Sequence, residues 1–276
     1  MTTREFWRSI EAIHDVVYFA PYAKERYEAI GLKGFWMGYA ASRSAALGTP
    51  GPEVVTALFH GFAPRMIARA LPDAWSMADR QEILDVRLGI ARDRVVEAIG
   101  DQDVTRTADA TQRLVEQLDL AGRPLAAAHA SLPVPEEPVD RLWNAVTVLR
   151  EYRGDCHVAV LTAAGLGGAS ANALAVATGL VPPGQREFRG WTEAEWSAAF
   201  DRLEQFGWAT GTEATDTGRV ARARLEDATD RSCGAGLDQE ATARAYALSN
   251  DLLPIARAVE ESGAVSYPNP TGVPRP

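Results

Sequence analysis

The stretch WTEAEWSAAFDRLEQFGWATGTEATDTGRVARARLEDATDR, residues 191–231, decides the fold. Thr192 and Glu195 have the Thr-x-x-Glu spacing of a capping box, which predicts a helix from there to Gln205. A short apolar segment and a Gly/Thr-rich loop follow, ahead of a second helix that ends near Arg231. The order helix, short strand, loop, short strand, helix is that of a winged helix, here a degenerate one with a short β-wing.

The rest of the chain is predicted to be helical almost throughout. Apolar residues between Phe6 and Phe19 recur at three- and four-residue spacing, which is typical of an amphipathic helix. Similar helices around Trp7 and Trp143 leave open an internal duplication, with chance similarity as the alternative. We therefore expect a mainly α protein with three parts: a multi-helix bundle (1–185), a winged-helix-like module (186–232), and a C-terminal helix with a loose Pro-rich tail (233–276, the tail from 268).

Composition and charge narrow the classes of function. The 276 residues include 28 Lys and Arg against 37 Asp and Glu, a formal net charge of −9, and 46% are apolar. This apolar content excludes a disordered chain. The acidic balance argues against nucleic acid and anionic membranes as partners, because both attract clustered Lys and Arg. Cys156 and Cys233 make no disulfide framework, and the N-terminus lacks the apolar core of a signal peptide, so we expect a cytoplasmic protein.

The predicted module is itself acidic. Between Trp191 and Arg231 there are five cations and nine anions, and the loop GTEATDTG (211–218) has no cation. DNA-binding helices and wings contact phosphates through cations, so this module is not expected to bind DNA.

A run of 30 residues between Asp155 and Arg186 contains no Lys, Arg, Asp or Glu. Its length would permit a membrane span, but glycines and polar residues interrupt it and Ala outnumbers Leu and Ile. We interpret it as two short buried helices joined at Gly167–Gly168.

The string REYRGDCH, residues 150–157, is the main candidate for chemistry. We expect Gly154 to end one helix and Asp155 to cap the next. At that N-terminus the helix dipole would lower the pKa of His157, and a neutral imidazole beside a carboxylate is a competent general base. The forked guanidinium of Arg153 is suited to hold a sulfate, phosphate or carboxylate. The alternative is structural, with Asp155 as a cap, Arg153 as its ion-pair partner and His157 bonded to a carbonyl.

Other candidates lie in the N-terminal half. His14, a further catalytic candidate, is one helical turn from Tyr18, and the two form either a polar pocket wall or the edge of an aromatic core. His60, between apolar residues, is either a substrate contact like Tyr18 or a buried structural histidine. No His, Cys or carboxylate pairing has metal-ligand spacing, and neither GxGxxG nor GxxxxGK[ST] occurs. We therefore expect neither a metal nor a cofactor.

Four segments carry a resemblance to a known family. They are GFWMGYAASRSAALG (34–48), ALFHGFAPRMIARALP (57–72), LREYRGDCHVAVLTAAGL (149–166), and the ending from GWTEAEW to LEDATDR (190–231). Together they resemble a helix-turn-helix-type family that is abundant in actinobacteria, over nearly the whole chain. RGDCH is the most specific part, although Cys156 stands where that family usually has Gly.

The resemblance implies a small-molecule enzyme of natural-product biosynthesis. Members occur in natural-product pathways, and the family is linked to aziridine ring closure by loss of a sulfate group, alongside a partner protein. Such an elimination or intramolecular substitution needs a base for the amine and a cationic clamp for the leaving anion, without a redox cofactor. Arg153, Asp155 and His157 are residues of the required types. Two alternatives stay open: a ligand-responsive winged-helix transcriptional regulator, and a non-catalytic protein that binds a metabolite.

Overall fold

A computed structural model describes residues 3–273 and 275–276 of the chain. Within these residues the protein is mainly α, with fifteen α-helices and one two-stranded hairpin. The helices of the first half are α1 (Thr3–Phe19), α2 (Ala23–Ala29), α3 (Gly34–Ser44), α4 (Pro52–Phe59), α5 (Pro64–Ala68), α6 (Ala74–Met77), α7 (Arg80–Ile99), α8 (Thr105–Val115) and α9 (Pro124–Ala130). The second half contains α10 (Pro138–Ala163), α11 (Gly168–Ala177), α12 (Gln185–Phe188), α13 (Glu193–Gln205), β1 (Ala209–Thr210), β2 (Glu213–Ala214), α14 (Asp216–Ala235) and α15 (Gln239–Glu261).

The bundle is built around α1 and α10. The apolar face predicted for α1 is buried, with Ile10 and Ile13 fully inaccessible. It packs against α10 and against α15, so the two ends of the chain share one core. On α10, Tyr152 and Leu149 are buried where that helix meets α8, α9 and α14.

The expected helix break at Gly154 is wrong, and so is the expected capping role of Asp155. Helix α10 runs without interruption through both residues. A glycine inside a helix costs only about 0.5–1 kcal/mol relative to alanine. Side chains before and after it, such as Tyr152 and Cys156, are buried in the core. Their packing therefore outweighs the low helix propensity of one glycine, and the break comes only at Gly165, whose φ is +71°.

The charge-free run forms the end of α10 and all of α11, which meet at a 99° bend. The expected start of the second helix is correct, since α11 begins at Gly168, but α10 ends at Ala163 and most residues of the run are only partly buried or exposed. A Cβ on Gly168 would lie 2.0 Å from the carbonyl oxygen of His60, so the bend needs glycine there. In the described part of the chain no single helix is long and apolar enough to cross a membrane, although α10 and α11 taken together reach that length and composition.

The winged-helix order is present in α13, the hairpin and α14. Thr192 and Glu195 form the predicted capping box, and the hairpin pairs Ala209 with Ala214. A separate apolar cluster joins α11 and α13 to α14, with Leu203 fully buried. Helix α11, which precedes residue 186, thus packs with the module, while α14 also packs on α10.

The C-terminal tail is not loose, contrary to expectation. Residues 264–273, called the strap below, fold back onto the protein, and Ala264 and Val273 are buried. Asn269 holds the strap in shape because its Nδ2 donates to the carbonyls of Ser266 and Val273, while its Oδ1 accepts from the Val273 amide at 3.0 Å. These side-chain hydrogen bonds satisfy backbone groups of a Pro-rich segment that cannot form a helix.

The two glycines of this region give a matched pair of predictions. We expect Gly168→Ala to lower the free energy of unfolding by about 1–3 kcal/mol, because its methyl group overlaps a backbone carbonyl. We expect Gly154→Ala to raise it by about 0.5–1 kcal/mol, because alanine favours the helix and the nearest atom is 3.6 Å away. Urea unfolding followed by circular dichroism measures both. A neutral or harmful Gly154→Ala would contradict the continuous α10.

Candidate functional site

A cleft lies between the bundle, the module and the strap. Its inner compartment, a cavity of about 220 Å³, is bounded by α3, the loop 60–62, α10, α11 and the strap. Its outer compartment, about 380 Å³, is bounded by α1, α10, α14 and the strap. Arg150, Gly154 and His157 of α10 line both compartments. The two compartments therefore form one site, and Gly154 adds no side chain between Arg150 and His157 on the shared wall.

Arginines dominate the charge of the inner compartment, which Arg43, Arg150, Arg189 and Arg222 line. Arg43 and Arg150 form ion pairs with Glu151, and Arg222 forms one with Glu226. Arg150 also pairs with Glu11 of α1, so three of these four cations have carboxylate partners, which α1, α10 and α14 supply.

Glu151 is the buried counter-charge of this site. Nε and Nη2 of Arg43 each donate to its carboxylate at 2.8 Å, and Nη1 of Arg150 donates at 3.1 Å. Burial alone would raise the pKa of Glu151, but the guanidiniums of Arg43 and Arg150 outweigh it and hold the pKa well below its usual range. The ionised carboxylate fixes α3 against α10.

Arg189 differs from the other three inner arginines, because no carboxylate of the described residues pairs with it. Its Nε donates to Oε1 of Gln185 and its Nη2 to the carbonyl of Pro270, both at 3.1 Å. Its guanidinium also lies over the ring of Phe62, 4.4 Å from the centroid. Burial lowers the pKa of Arg189, and Arg43 nearby lowers it further. A half-buried cation with only neutral partners favours an anionic ligand.

Tyr39 places a phenol among these cations. Its hydroxyl oxygen accepts a hydrogen bond from Nη1 of Arg43 at 3.3 Å. Burial alone would raise the pKa of Tyr39, but Arg43, Arg189 and Arg150 together lower it. A more acidic phenol is a stronger hydrogen-bond donor to an anion.

His157 is the sequence-predicted base that does line the cleft. Its Nδ1 lies 2.9 Å from Oγ1 of Thr229, and that hydroxyl already donates to the carbonyl of Leu225. Nδ1 must therefore carry the proton, which leaves Nε2 as the basic nitrogen. Burial, and not a helix N-terminus, is the main reason that the pKa of His157 falls to about 4. The imidazole is neutral at physiological pH.

Asp155 lies on the opposite side of α10 from His157 and does not line the cleft. Its Oδ2 accepts from the backbone amide of Ala126 at 3.0 Å, in the first turn of α9. Burial raises the pKa of Asp155 to about 7. Residues two positions apart on a helix point away from each other, so the structure separates these two candidates instead of pairing them.

Arg153 lines the outer compartment but is already engaged by carboxylates. Its guanidinium donates to Asp230 at 2.7 Å and to Glu226 at 2.9 Å. It therefore binds α14 to α10, and its pairing with Asp155 in the structural alternative does not occur in the described residues.

The three N-terminal candidates divide between core and cleft. His14 is fully buried between Thr147 and Tyr18, and both of its ring nitrogens have hydrogen-bond partners. Tyr18 also accepts from Arg87, so neither His14 nor Tyr18 lines the cleft. His60 does line the inner compartment, at the end of α4 with φ of +49°. Burial lowers the pKa of His60.

Sequence reasoning missed the cations that matter most here. Tyr39 and Arg43 lie one turn apart in the second half of α3, where the neighbouring residues are small, and that spacing was the available signal. Arg189 and Arg222 come from α12 and α14, and no spacing in the sequence connects them. The described residues contain no cluster of three or more His, Cys, Asp or Glu able to hold a metal ion.

Asp15 was also missed. Both carboxylate oxygens are buried without a hydrogen-bond partner in the described residues. Burial, with the nearby charge of Glu11, raises the pKa of Asp15 to about 7, against a lowering effect of Arg150. Thr271 of the strap lies beside it.

We expect Glu151→Gln to lower the free energy of unfolding by about 3–5 kcal/mol, because it leaves Arg43 as a buried cation without a counter-charge and Arg150 with Glu11 alone. Glu97→Gln is the matched control, since Glu97 pairs with Arg94 in a half-exposed contact and is expected to cost at most about 1 kcal/mol. Urea unfolding compares the two variants. Equal, small losses would contradict the central role of Glu151.

Asp15 gives a pH-dependent prediction. A carboxyl whose pKa is raised to about 7 on folding contributes stability that is present below about pH 4 and is lost as the pH rises through 7. We expect the free energy of unfolding to fall between about pH 4 and 7, and Asp15→Asn to make this fall shallower. Asp73→Asn, at an exposed carboxylate, should leave the slope unchanged. Identical slopes for wild type and Asp15→Asn would refute the assignment.

Comparison with known proteins gives one positive result. Residues 3–266 match a helix-turn-helix family, which covers both the bundle and the module. No curated protein and no solved structure matches the chain. Because the match extends over nearly the whole sequence, the chain belongs to this helix-turn-helix family.

Proposed function

We propose that the cleft binds a small molecule carrying an oxyanion group, and that the protein is an enzyme acting on that molecule. Arg189 is the observation that carries the proposal, because this half-buried guanidinium lines the inner compartment with only neutral partners among the described residues. The chain has a net charge of −9, so attraction for anions is confined to such local clusters. Aromatic and aliphatic walls around the arginines suit a small organic ligand.

The reaction we infer is an elimination or intramolecular substitution in which the anion leaves. In ring closure, an amine nitrogen of the substrate attacks the carbon that bears a sulfate ester. The C–N bond forms as the C–O bond breaks, and sulfate departs with the electron pair of that bond. The amine proton passes to Nε2 of His157, while the inner arginines stabilise the charge that develops on the leaving group. The reaction is redox-neutral.

The finer parts of the proposal rest on the family resemblance. They are an aziridine product, a cytoplasmic natural-product pathway and a partner protein that acts with this chain. Within the site, His157 and Arg189 supply the base and the anion contact, in place of the Asp155, His14 and Arg153 expected from sequence.

A DNA-binding regulator is the competing interpretation for a helix-turn-helix protein. Helix α13 precedes the hairpin, the position of a recognition helix, and it carries four acidic residues against one arginine: Glu193, Glu195, Asp201, Glu204 and Arg202. A helix with this balance repels phosphates, which favours the enzyme.

The test measures inorganic sulfate released from vicinal amino-alkyl sulfates by wild-type protein, His157→Gln and Asp155→Asn. We expect His157→Gln to slow release by about 10²-fold or more, because the base is lost. We expect Asp155→Asn to retain the rate, since Asp155 lies outside the cleft and asparagine still accepts from Ala126.

Four other outcomes would overturn the proposal. Full activity of His157→Gln would show that His157 is not the base. Loss of activity only in Asp155→Asn would favour Asp155, the residue expected from the sequence. Tight binding of an amino sulfate without release would indicate a sequestering protein. Salt-dependent binding of random duplex DNA, measured by fluorescence anisotropy, would indicate the regulator.

A further inference from the structure

The strap reaches into the cleft at one backbone atom. The carbonyl oxygen of Pro270 accepts hydrogen bonds from Nε2 of Gln185 and from Nη2 of Arg189. Gln185 is buried, and both donors line the inner compartment. Two convergent donors, one of them charged, make an arrangement that fits an anionic oxygen better than a neutral carbonyl, because hydrogen bonds to a charged acceptor are roughly twice as strong.

Tyr39 adds a third donor to the same compartment. Its oxygen accepts from Arg43, and Arg189 lies close enough to interact with it as well. No described residue accepts a hydrogen bond from the Tyr39 hydroxyl. A phenol whose oxygen already faces guanidiniums directs its proton elsewhere, and the remaining space is the cavity itself.

The closed strap leaves polar groups without hydrogen bonds, both in the strap itself and on α1 beside it. Asn269 keeps its shape and Gln185 and Arg189 hold Pro270, but the hydroxyl of Tyr267 and both oxygens of Asp15 are buried without partners in the described residues. Buried polar groups without hydrogen bonds oppose the closed arrangement. Displacing the strap would return these groups to water, which offsets part of the cost of opening.

We propose that Tyr39, Gln185 and Arg189 form a subsite for one oxyanion group of a small molecule, and that the Pro270 carbonyl competes with the ligand for it. The strap is thus an internal competitor, and occupation of the subsite releases residues 266–273. This proposal rests on the proposed function, and it adds a mechanism by which the site opens. The ligand class is a tetrahedral or planar oxyanion on a small molecule, for which inorganic sulfate is the probe.

The experiment titrates sulfate into the 276-residue protein by calorimetry at constant ionic strength. We expect Arg189→Gln to weaken binding by about tenfold or more, because a charge-assisted contact is lost. Arg186→Gln is the matched control on the same short helix, since Arg186 pairs with Glu187 and Glu193 outside the cleft. It should bind sulfate like wild type.

The decisive variants loosen the strap without touching the three donors. Asn269→Ala removes the side chain that holds the strap in shape, and Gly272→Ala introduces a Cβ at φ +75° within 3.0 Å of Val181. We expect each to bind sulfate about threefold or more tightly, because apparent affinity rises with the fraction of molecules in the open form. Either variant suffices if the other fails to fold.

Hydrogen exchange of the amides in residues 266–273 measures how often the strap opens. Sulfate should speed exchange of the Gly272 and Val273 amides, which are hydrogen bonded within the closed strap. Arg189-dependent binding with no change in strap exchange, or weaker binding in both strap variants, would overturn the competition while leaving the proposed function intact. If sulfate changes exchange in the strap but sulfate release does not depend on His157, the competition stands and the proposed function is wrong. Absence of sulfate binding would remove the subsite.

Discussion

The ion pair between Arg43 and Glu151 is the constraint on which the rest of the site depends. It joins α3 to α10 with two hydrogen bonds of 2.8 Å in a buried position. Without Glu151, the guanidiniums of Arg43 and Arg150 would be close enough to repel each other in a region shielded from water. One carboxylate therefore allows several arginines to line the same small cavity. Arg189 is the one inner arginine without a carboxylate partner among the described residues, and the proposed binding of an anion rests on it.

The continuous helix α10 sets the geometry of the cleft. Because it is not broken at Gly154, residues 150–157 are presented on successive faces of one helix and do not form a capped junction. Glu151 and Asp155 point into the bundle, while Arg150, Gly154 and His157 face the cleft. The strap and α14 then close the other side, so the site exists only where both ends of the chain and the module meet.

The sequence was sufficient for most of the fold, because helical periodicity and capping residues act locally. The capping box at Thr192, the helix α1 and the bend at Gly168 follow from patterns within a few residues. It failed at Gly154, where burial of the flanking turns outweighed propensity, and in the tail, where Asn269 orders a Pro-rich segment through contacts within the strap.

The candidate site was less accessible to sequence reasoning. His157 and His60 were identified because histidine is conspicuous, and both line the cleft. Arg189, Arg222 and Tyr39 were not, since their significance depends on the fold, which brings side chains of α3, α12 and α14 to the same compartment. Which arginine pairs with which carboxylate depends on the tertiary structure. From the sequence Arg153 was expected to bind an anion, but in the fold Glu226 and Asp230 neutralise it.

The central claim is that the inner compartment binds an oxyanion at Arg189. Crystals grown with selenate, an anomalous scatterer shaped like sulfate, test it most directly. The account predicts an anomalous peak within hydrogen-bond distance of the Arg189 guanidinium and the Tyr39 hydroxyl, with the Pro270 carbonyl displaced. Selenate bound only at exposed arginines such as Arg275, with an unchanged strap over the cleft, would contradict it.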